Sequence, residues 1–353
     1  MFFVDQPNKL VTALGPDSPT GHSTITTYRH GTESFDLPTI TQRRGLELLL
    51  SIPTHKATGD DGISAKLLRI AAPAISPSLS KLLNLCLSTK TFPTAWKVAN
   101  VTPVFKGNGS RNDKNNYRPI SVHPILSKML EKHICESLCN FIKENNLFHH
   151  LQSGFRKSNS TETALIRLVD QLLLNLDNDK ITGLVFIDYK KAFDLIDHQL
   201  LLSKLKVLGV NETFLPLFRD YLSGRSQYVT IDGCHSTKRS VTLGVPQGSI
   251  LFLVFINDLP EALQHCVADI YADDTTISHC AHYQEAPIAV SAGLQEDIIE
   301  VLNWSSSTKM LLNESKTKSM LVTGKRLVKK MDHSTLQLHL SLLNLIKYTY
   351  TNC

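Results

Sequence analysis

Three carboxylates attract attention first. Asp188 closes a short apolar run from Thr182, and Asp273-Asp274 interrupt another apolar run 85 residues further on. Carboxylates gathered at strand ends repel one another unless a divalent cation offsets their charge. Three hard oxygen donors with room for water and phosphate oxygens are what Mg²⁺ favours. Two such ions about 3.5–4 Å apart activate an attacking hydroxyl and stabilise a leaving pyrophosphate. For any one acid taken alone, a solvated turn carboxylate is the ordinary reading.

The charge pattern agrees with such a centre. Trp96 to Lys132 carries seven Lys/Arg against two acids, and Lys309 to Lys330 carries seven against Glu314 alone. Between them, Pro260 to Asn303 holds eight acids and no Lys or Arg. Two basic stretches around an acidic one suit a polyanion-binding body with a cation-binding middle, and a set of solvated faces is the plain alternative.

The elements that must position these residues read as a mixture of helices and strands. The chain has 353 residues, with 42% hydrophobic and 20% charged. That balance excludes wholesale disorder, collagen and coiled coil. No apolar run approaches the roughly 18–20 residues of a membrane span, and Met1 to Val4 meets Asp5 without a secretory core. Seven Cys without a C-x-x-C pair indicate reduced thiols in an intracellular protein, nuclear or cytoplasmic. Cys135 and Cys139, four apart on a helix, read as small buried hydrophobes.

Residues 1–40, rich in Pro, Gly, Ser and Thr, read as a poorly ordered lead-in. Leucine spacing from Leu46 to Leu87 predicts three short helices between Pro and Gly breakers, within an extension spanning 41–95. Ser127 is expected to cap a helix through Ile142, and a further helix runs from about Thr161 to Leu176. The period then changes. Thr182 to Asp188 reads as a buried strand, and Asp197 caps a helix that Gly209 closes. Gln227 to Ile231 and Lys238 to Leu243 read as a hairpin turning at Asp232-Gly233. Ala268 to Ser278 reads as a second hairpin with Asp273-Asp274 at its tip. A helix over Leu294 to Trp304 and a strand over Ser319 to Thr323 complete an α+β order.

Phe186-Ile187-Asp188-Tyr189-Lys190-Lys191-Ala192-Phe193-Asp194, Gly244-Val245-Pro246-Gln247-Gly248-Ser249 and Tyr271-Ala272-Asp273-Asp274 occur in that order. They resemble motifs A, B and C of reverse transcriptases. Asn116-Tyr117-Arg118-Pro119-Ile120-Ser121, Gln152-Ser153-Gly154-Phe155-Arg156 and Leu312-Asn313-Glu314-Ser315-Lys316-Thr317-Lys318 resemble the finger motifs and motif D of non-LTR (LINE-type) retrotransposon enzymes. Lys56 to Ile63 and Phe92-Pro93-x-x-Trp96-Lys97 are similar to the N-terminal extension of that group, nearest its jockey and CR1-like branches. The resemblance covers about Leu46 to Val328.

The resemblance implies a right-hand polymerase within 96–330, with fingers over 96–180 and a palm over 181–330 built as an antiparallel sheet backed by helices. It implies an RNA-directed DNA polymerase that joins dNTPs to a primer 3′-hydroxyl on an RNA template, with two Mg²⁺ ions or Mn²⁺ in their place. Asp188, Asp273 and Asp274 match the metal-binding catalytic carboxylates, and Lys316 the general acid for departing pyrophosphate. Phe193 matches the gate against a 2′-hydroxyl. Backbone from Tyr189 to Phe193 would follow the triphosphate, and Gln247 and Gly248 match the loop at nucleotide and primer end. Arg118 and Arg156 lie in finger motifs, Arg156 being the better phosphate grip because a guanidinium fork matches phosphate oxygens.

Two departures stand out. Leu251 runs directly into Phe252, where the family usually inserts Gly-Pro-Leu-Leu, so four residues appear missing from a helix. After Val328 the motif E segment and thumb are not recognisable, and 331–353 reads as a divergent tail. With no endonuclease-like segment ahead of residue 40, the chain reads as a fragment of a larger polyprotein. A relic that binds RNA or RNA–DNA hybrid without polymerising is therefore the first rival. An RNA-dependent RNA polymerase is disfavoured by Phe193 and Ala272, and a zinc module on His279, Cys280 and His282 by its spacing.

Overall fold

The computed structural model describes residues 34–156, 159–246, 249–286, 288–328 and 346–352. These fall into two compact units, one from the described residues up to Leu147 together with Asp197–Pro246, the other from Phe148–Ile196 together with Gln247 onward. Each is a mixture of helix and sheet.

In the first unit, α1 (Gln42–Leu50) starts at Thr41, whose side chain accepts from the Arg44 N–H. It packs on α2 (Ala65–Thr89) so closely that a Cβ on Gly45 would meet Ser80 Oγ at 2.2 Å. The expected break within α2 does not occur: Pro73 and Pro77 lie inside one 25-residue helix. Each mid-helix proline costs about 3 kcal/mol. Against that stands one continuous stripe, Leu68, Ala72, Ser76, Leu79, Leu83 and Leu87, all buried. Each fully buried leucine contributes about 1.5–3 kcal/mol, and breaking the helix would split the stripe. By length and composition α2 is also apolar enough to cross a membrane, and this stripe is its packing face.

Strand β1 (Val98–Phe105) pairs antiparallel with β2 (Tyr117–Val122) and parallel with β4 (Arg225–Ile231). Asp232 and Gly233 both take positive φ, the geometry of a tight hairpin turn. The return arm follows as β5 (Cys234–His235) and β6 (Arg239–Val241), both paired with β4. Helices α3 (Ile125–Glu144), α5 (His198–Val207) and α6 (Leu215–Leu222) complete the unit. Ser127 does not cap α3. Pro124 holds that place, while the buried Ser127 hydroxyl donates to the Pro124 carbonyl at 2.9 Å. Asp197 caps α5 as expected, accepting from Gln199 and Leu200 N–H. Within the stretch read as a lead-in, Phe35, Leu37 and Ile40 are buried, and Phe35 sits among Phe141, Phe214 and Phe218.

The extension motif is tied into this unit at Gly59 and Asp60. Gly59 presses on the His123–Pro124 backbone, where a Cβ would fall 2.6 Å from Pro124. Asp60 accepts the Tyr228 hydroxyl at 2.6 Å.

The second unit is a five-stranded sheet in the order β10-β9-β3-β8-β7. Its centre is β3 (Lys180–Ile187), antiparallel to both β8 (Asp274–His282) and β9 (Lys318–Thr323). Ile181 to Val185 are all buried, as befits a strand covered on both faces. Strand β7 (Val267–Tyr271) borders β8, and β10 (Ile346–Asn352) adds a parallel edge to β9 that the sequence reading did not anticipate. Helices α4 (Thr161–Asp177) and α8 (Ile288–Thr308) pack on the sheet. Ser160 and Thr163 form a reciprocal cap at the start of α4. The fully buried Asp297 of α8 accepts N–H groups from Gln264, His265 and Cys266, fixing the entry to β7.

Helix α7 (Ile250–Ile256) holds the Leu251–Phe252 junction where the sequence reading expects a four-residue gap. All seven of its side chains are buried. The Ser249 side chain accepts from the Leu251 N–H and caps the helix ahead of the Leu251–Phe252 junction. Six cysteines among the described residues are free thiols.

Candidate active site

The site is built on the β3–β8 register. The ladder ends at Ile187 paired with Thr275, and Asp188 and Asp274 are the next residue along on each strand. Asp273 precedes Asp274 in the two-residue turn from β7. Three acids separated by 85 residues thus come to one end of one sheet. Asp273 is shifted upward from the ordinary carboxylate range, chiefly by burial, with the Asp274 and Asp188 charges adding and its own backbone N–H and Lys316 opposing. Asp274 is shifted the same way by burial and by Asp188, against Lys316. Mutual repulsion of this kind is what a divalent cation relieves, and the donors are the hard oxygens that Mg²⁺ takes. As placed, no three His, Cys, Asp or Glu side chains among the described residues are close enough to hold an ion together. The carboxylates therefore fit a cation by charge and donor type.

The turn carrying Asp273 is clamped from behind. Ala272 adopts φ +59°, a left-handed conformation that costs a non-glycine residue about 1–2 kcal/mol. The fully buried Gln152 offsets that cost, since its Oε1 accepts from the Ala272 N–H at 3.3 Å and from the Gly154 N–H at 2.7 Å. Gly154 lies against the same turn, and a Cβ there would fall 2.2 Å from the Ala272 nitrogen. Ser153 N–H donates to the Ile270 carbonyl at 2.8 Å. The Gln-Ser-Gly segment is thus a brace for the hairpin of Asp273.

Asp188 is held by the segment before β9. Asn313 Nδ2 donates to Asp188 Oδ2 at 2.7 Å, and the Asn313 N–H donates to the Asp188 carbonyl at 2.8 Å. The buried Thr317 hydroxyl accepts from the Asp188 N–H at 3.3 Å. Lys316 brings its ammonium 3.8 Å from Asp188 Oδ2.

Phe193 is half-buried in a short 3₁₀ turn, Ala192–Asp194. Its ring stacks on Phe252 at 4.2 Å with planes 30° apart, and meets Phe155 edge-on at 6.2 Å. Phe155 is 48% exposed and held at φ +50°. Arg156 donates to the Gln152 carbonyl at 2.8 Å and lies over the Phe148 ring, which leaves further guanidinium donors for a ligand.

Residues 106–339 match the family model described as reverse transcriptase (RNA-dependent DNA polymerase). The chain belongs to the reverse transcriptase family. It is 29% identical over 294 residues to the RNA-directed DNA polymerase from mobile element jockey of Drosophila melanogaster, covering 80% of this chain and 32% of that protein. It is 30% identical over 296 residues to the probable RNA-directed DNA polymerase from transposon BS of the same organism, with the same coverage. The probable polymerase from transposon X-element is 26% identical over 291 residues, covering 79% and 31%. The chain spans about a third of the length of these retrotransposon relatives.

Within this member of the reverse transcriptase family the expected site residues are divided between the two units. Asp188, Asp273, Asp274, Lys316, Phe193 and Arg156 share the second unit, whereas Arg118 is exposed on β2 of the first. Gln247 and Gly248 lie outside the described residues. Tyr189 is expected to act through its backbone; its side chain is buried beside Trp304, and burial drives its hydroxyl pKa upward. Any part it takes with the triphosphate falls to its backbone. Residue-level reading missed the tasks of Gln152, Gly154 and Asn313. All three stand in motifs quoted for their resemblance, but Gln152 and Asn313 work by hydrogen bonds, and Gly154 by close packing, on segments more than 100 residues away.

Proposed function

We propose that this chain carries the nucleotidyl-transfer site of an RNA-directed DNA polymerase, with fingers within 96–180 and a palm within 181–330. The observation that carries this reading is the gathering of Asp188, Asp273 and Asp274 at one end of one sheet, with Lys316 as the nearby cation. Asp188, Asp273 and Asp274 would hold two Mg²⁺ ions, or Mn²⁺. Bound there, the ions supply Lewis acidity at the α-phosphate and offset charge on the leaving pyrophosphate.

The protein's own groups do the rest. Phe193, backed by Phe252, closes the space where a 2′-hydroxyl would point, favouring dNTPs. Arg156 offers its unused guanidinium donors to phosphate oxygens. Lys316 stands where an ammonium proton can pass to departing pyrophosphate. The ligands implied are an RNA template, a DNA primer and dNTPs, without a membrane, and the place of action is within the cell, nuclear or cytoplasmic. Endonuclease and thumb functions are not assigned to any residue here.

A second reading, a protein that binds RNA or RNA–DNA hybrid without polymerising, is favoured by one observation. The carboxylates do not form a three-ligand group as placed. Primer extension on poly(rA)/oligo(dT) with Mg²⁺ separates the two. Extension that Asp188→Asn abolishes supports the polymerase, while binding of the hybrid with no extension supports the second reading. A variant restoring four residues after Leu251 tells whether the short α7 limits activity.

A further inference from the structure

We infer that Asn313 is a positioning residue for Asp188, turning its carboxylate so that Oδ1 is presented to a cation; the inference rests on the proposed metal-binding role of Asp188. Both protein contacts to this carboxylate, from Asn313 Nδ2 at 2.7 Å and Lys316 Nζ at 3.8 Å, fall on Oδ2. Among the described residues Oδ1 carries no hydrogen bond. A carboxylate held by one oxygen can rotate about a single axis only, and its other oxygen then has a defined direction.

The chemistry of the donor matters. An amide N–H orients the carboxylate without cancelling its charge, so the full attraction for a divalent cation remains. Lys316, 67% exposed, holds the looser contact and is free to leave it. Asn313 itself is anchored. Its N–H bonds the Asp188 carbonyl, its carbonyl accepts from Lys316 and Thr317 N–H at 3.0 and 2.9 Å, and Thr317 Oγ1 returns to the Asp188 N–H. Asp188 is therefore gripped at its N–H, its carbonyl and one carboxylate oxygen by Asn313, Lys316 and Thr317, three residues within five consecutive positions. Orienting partners of this kind typically change metal affinity 10- to 100-fold when removed.

The test measures Mn²⁺ affinity of the full chain by electron paramagnetic resonance, without substrate, alongside the thermal midpoint. Asn313→Ala is expected to weaken Mn²⁺ binding 10- to 100-fold while the midpoint moves by only a few degrees. Asn313→Ser, a shorter donor, should fall between and serves as the test if the alanine variant does not fold. Asp188→Asn separates this inference from the reading beneath it. If Asp188→Asn still binds Mn²⁺ like wild type, the metal site itself is misassigned. If Asp188→Asn loses the ion while Asn313→Ala, or Asn313→Ser in its place, binds within twofold of wild type, the positioning role of Asn313 is overturned.

Discussion

Phe252 stacks against Phe193 at 4.2 Å, with one ring fully buried and the other, five residues after Asp188 in the chain, half-exposed. A gate works only if its ring cannot swing aside, and the buried partner supplies that resistance. The contact is compatible with the gap expected after Leu251, because removing four residues from a helix turns its face by only about 40°. Phe255 and Ile256 remain fully buried as well.

Sugar discrimination should follow from this pair. Displacing a packed ring costs roughly 1–3 kcal/mol, equivalent to about 5- to 150-fold in rate. Phe193→Val should raise the ratio of rNTP to dNTP incorporation by that order and leave dNTP use largely intact. Phe252→Ala should raise the same ratio less, with a stability loss of about 3–5 kcal/mol visible in urea unfolding. An unchanged ratio in Phe193→Val would make that ring a core residue only.

The acids should destabilise the cation-free protein. Asp273 and Asp274 have raised pKa values in the folded state. Their favourable contribution is thus present at low pH, where they are protonated, and is lost as pH rises through the folded values. Asp273→Asn should therefore raise the thermal midpoint at neutral pH in chelator by a few degrees while abolishing extension. Mg²⁺ or Mn²⁺ should stabilise wild type more at neutral than at acid pH, since protons compete for the same oxygens. A midpoint lowered by Asp273→Asn would contradict the repulsion.

His123 should shape the acid limb of stability. It is 7% exposed, and burial, with Arg225 and Lys128, lowers its pKa from 6.5 to about 3. Its Nε2 faces an Arg225 guanidinium nitrogen at 3.1 Å, so the ring acts there as the neutral acceptor. The unfolded chain binds this proton first. Stability from His123 is accordingly full above pH 6.5 and falls toward pH 3, with a slope of up to about 1.4 kcal/mol per pH unit. His123→Gln, which keeps an acceptor for Arg225, should flatten unfolding free energy across that window. A curve as steep as wild type would place the acid sensitivity elsewhere.

Nucleic-acid binding should depend on salt through some basic residues and not others. Arg118 is exposed on β2, whereas Lys97 is buried in an ion pair with Asp220 at 3.0 Å. Arg118→Ala should reduce the slope of log affinity against log salt by about 1. Lys97→Ala should leave the slope unchanged and lower stability, because it strands Asp220. Equal slopes for wild type and Arg118→Ala in filter binding would show that Arg118 touches no phosphate.

Local sequence determined much of this protein. The caps at Ser160 and Asp197, the Asp232-Gly233 turn and the strand ending at Asp188 follow from residue type and spacing, because each depends on neighbours within a few positions. The ordered motifs likewise identified the family and marked Asp188, Asp273 and Asp274. Pro73 and Pro77 were misleading. Local propensity argues for a break, while the buried stripe that overrides it exists only once α2 meets the rest of its unit. The tertiary structure alone decided the β3–β8 register that brings Asp188 and Asp274 to one end of the sheet. It also decided which polar side chains act at a distance: Gln152 on Ala272, 120 residues away, and Asn313 on Asp188, 125 residues away. A hydrogen bond between distant segments leaves no periodicity in the chain, so only the fold reveals which amide holds which acid.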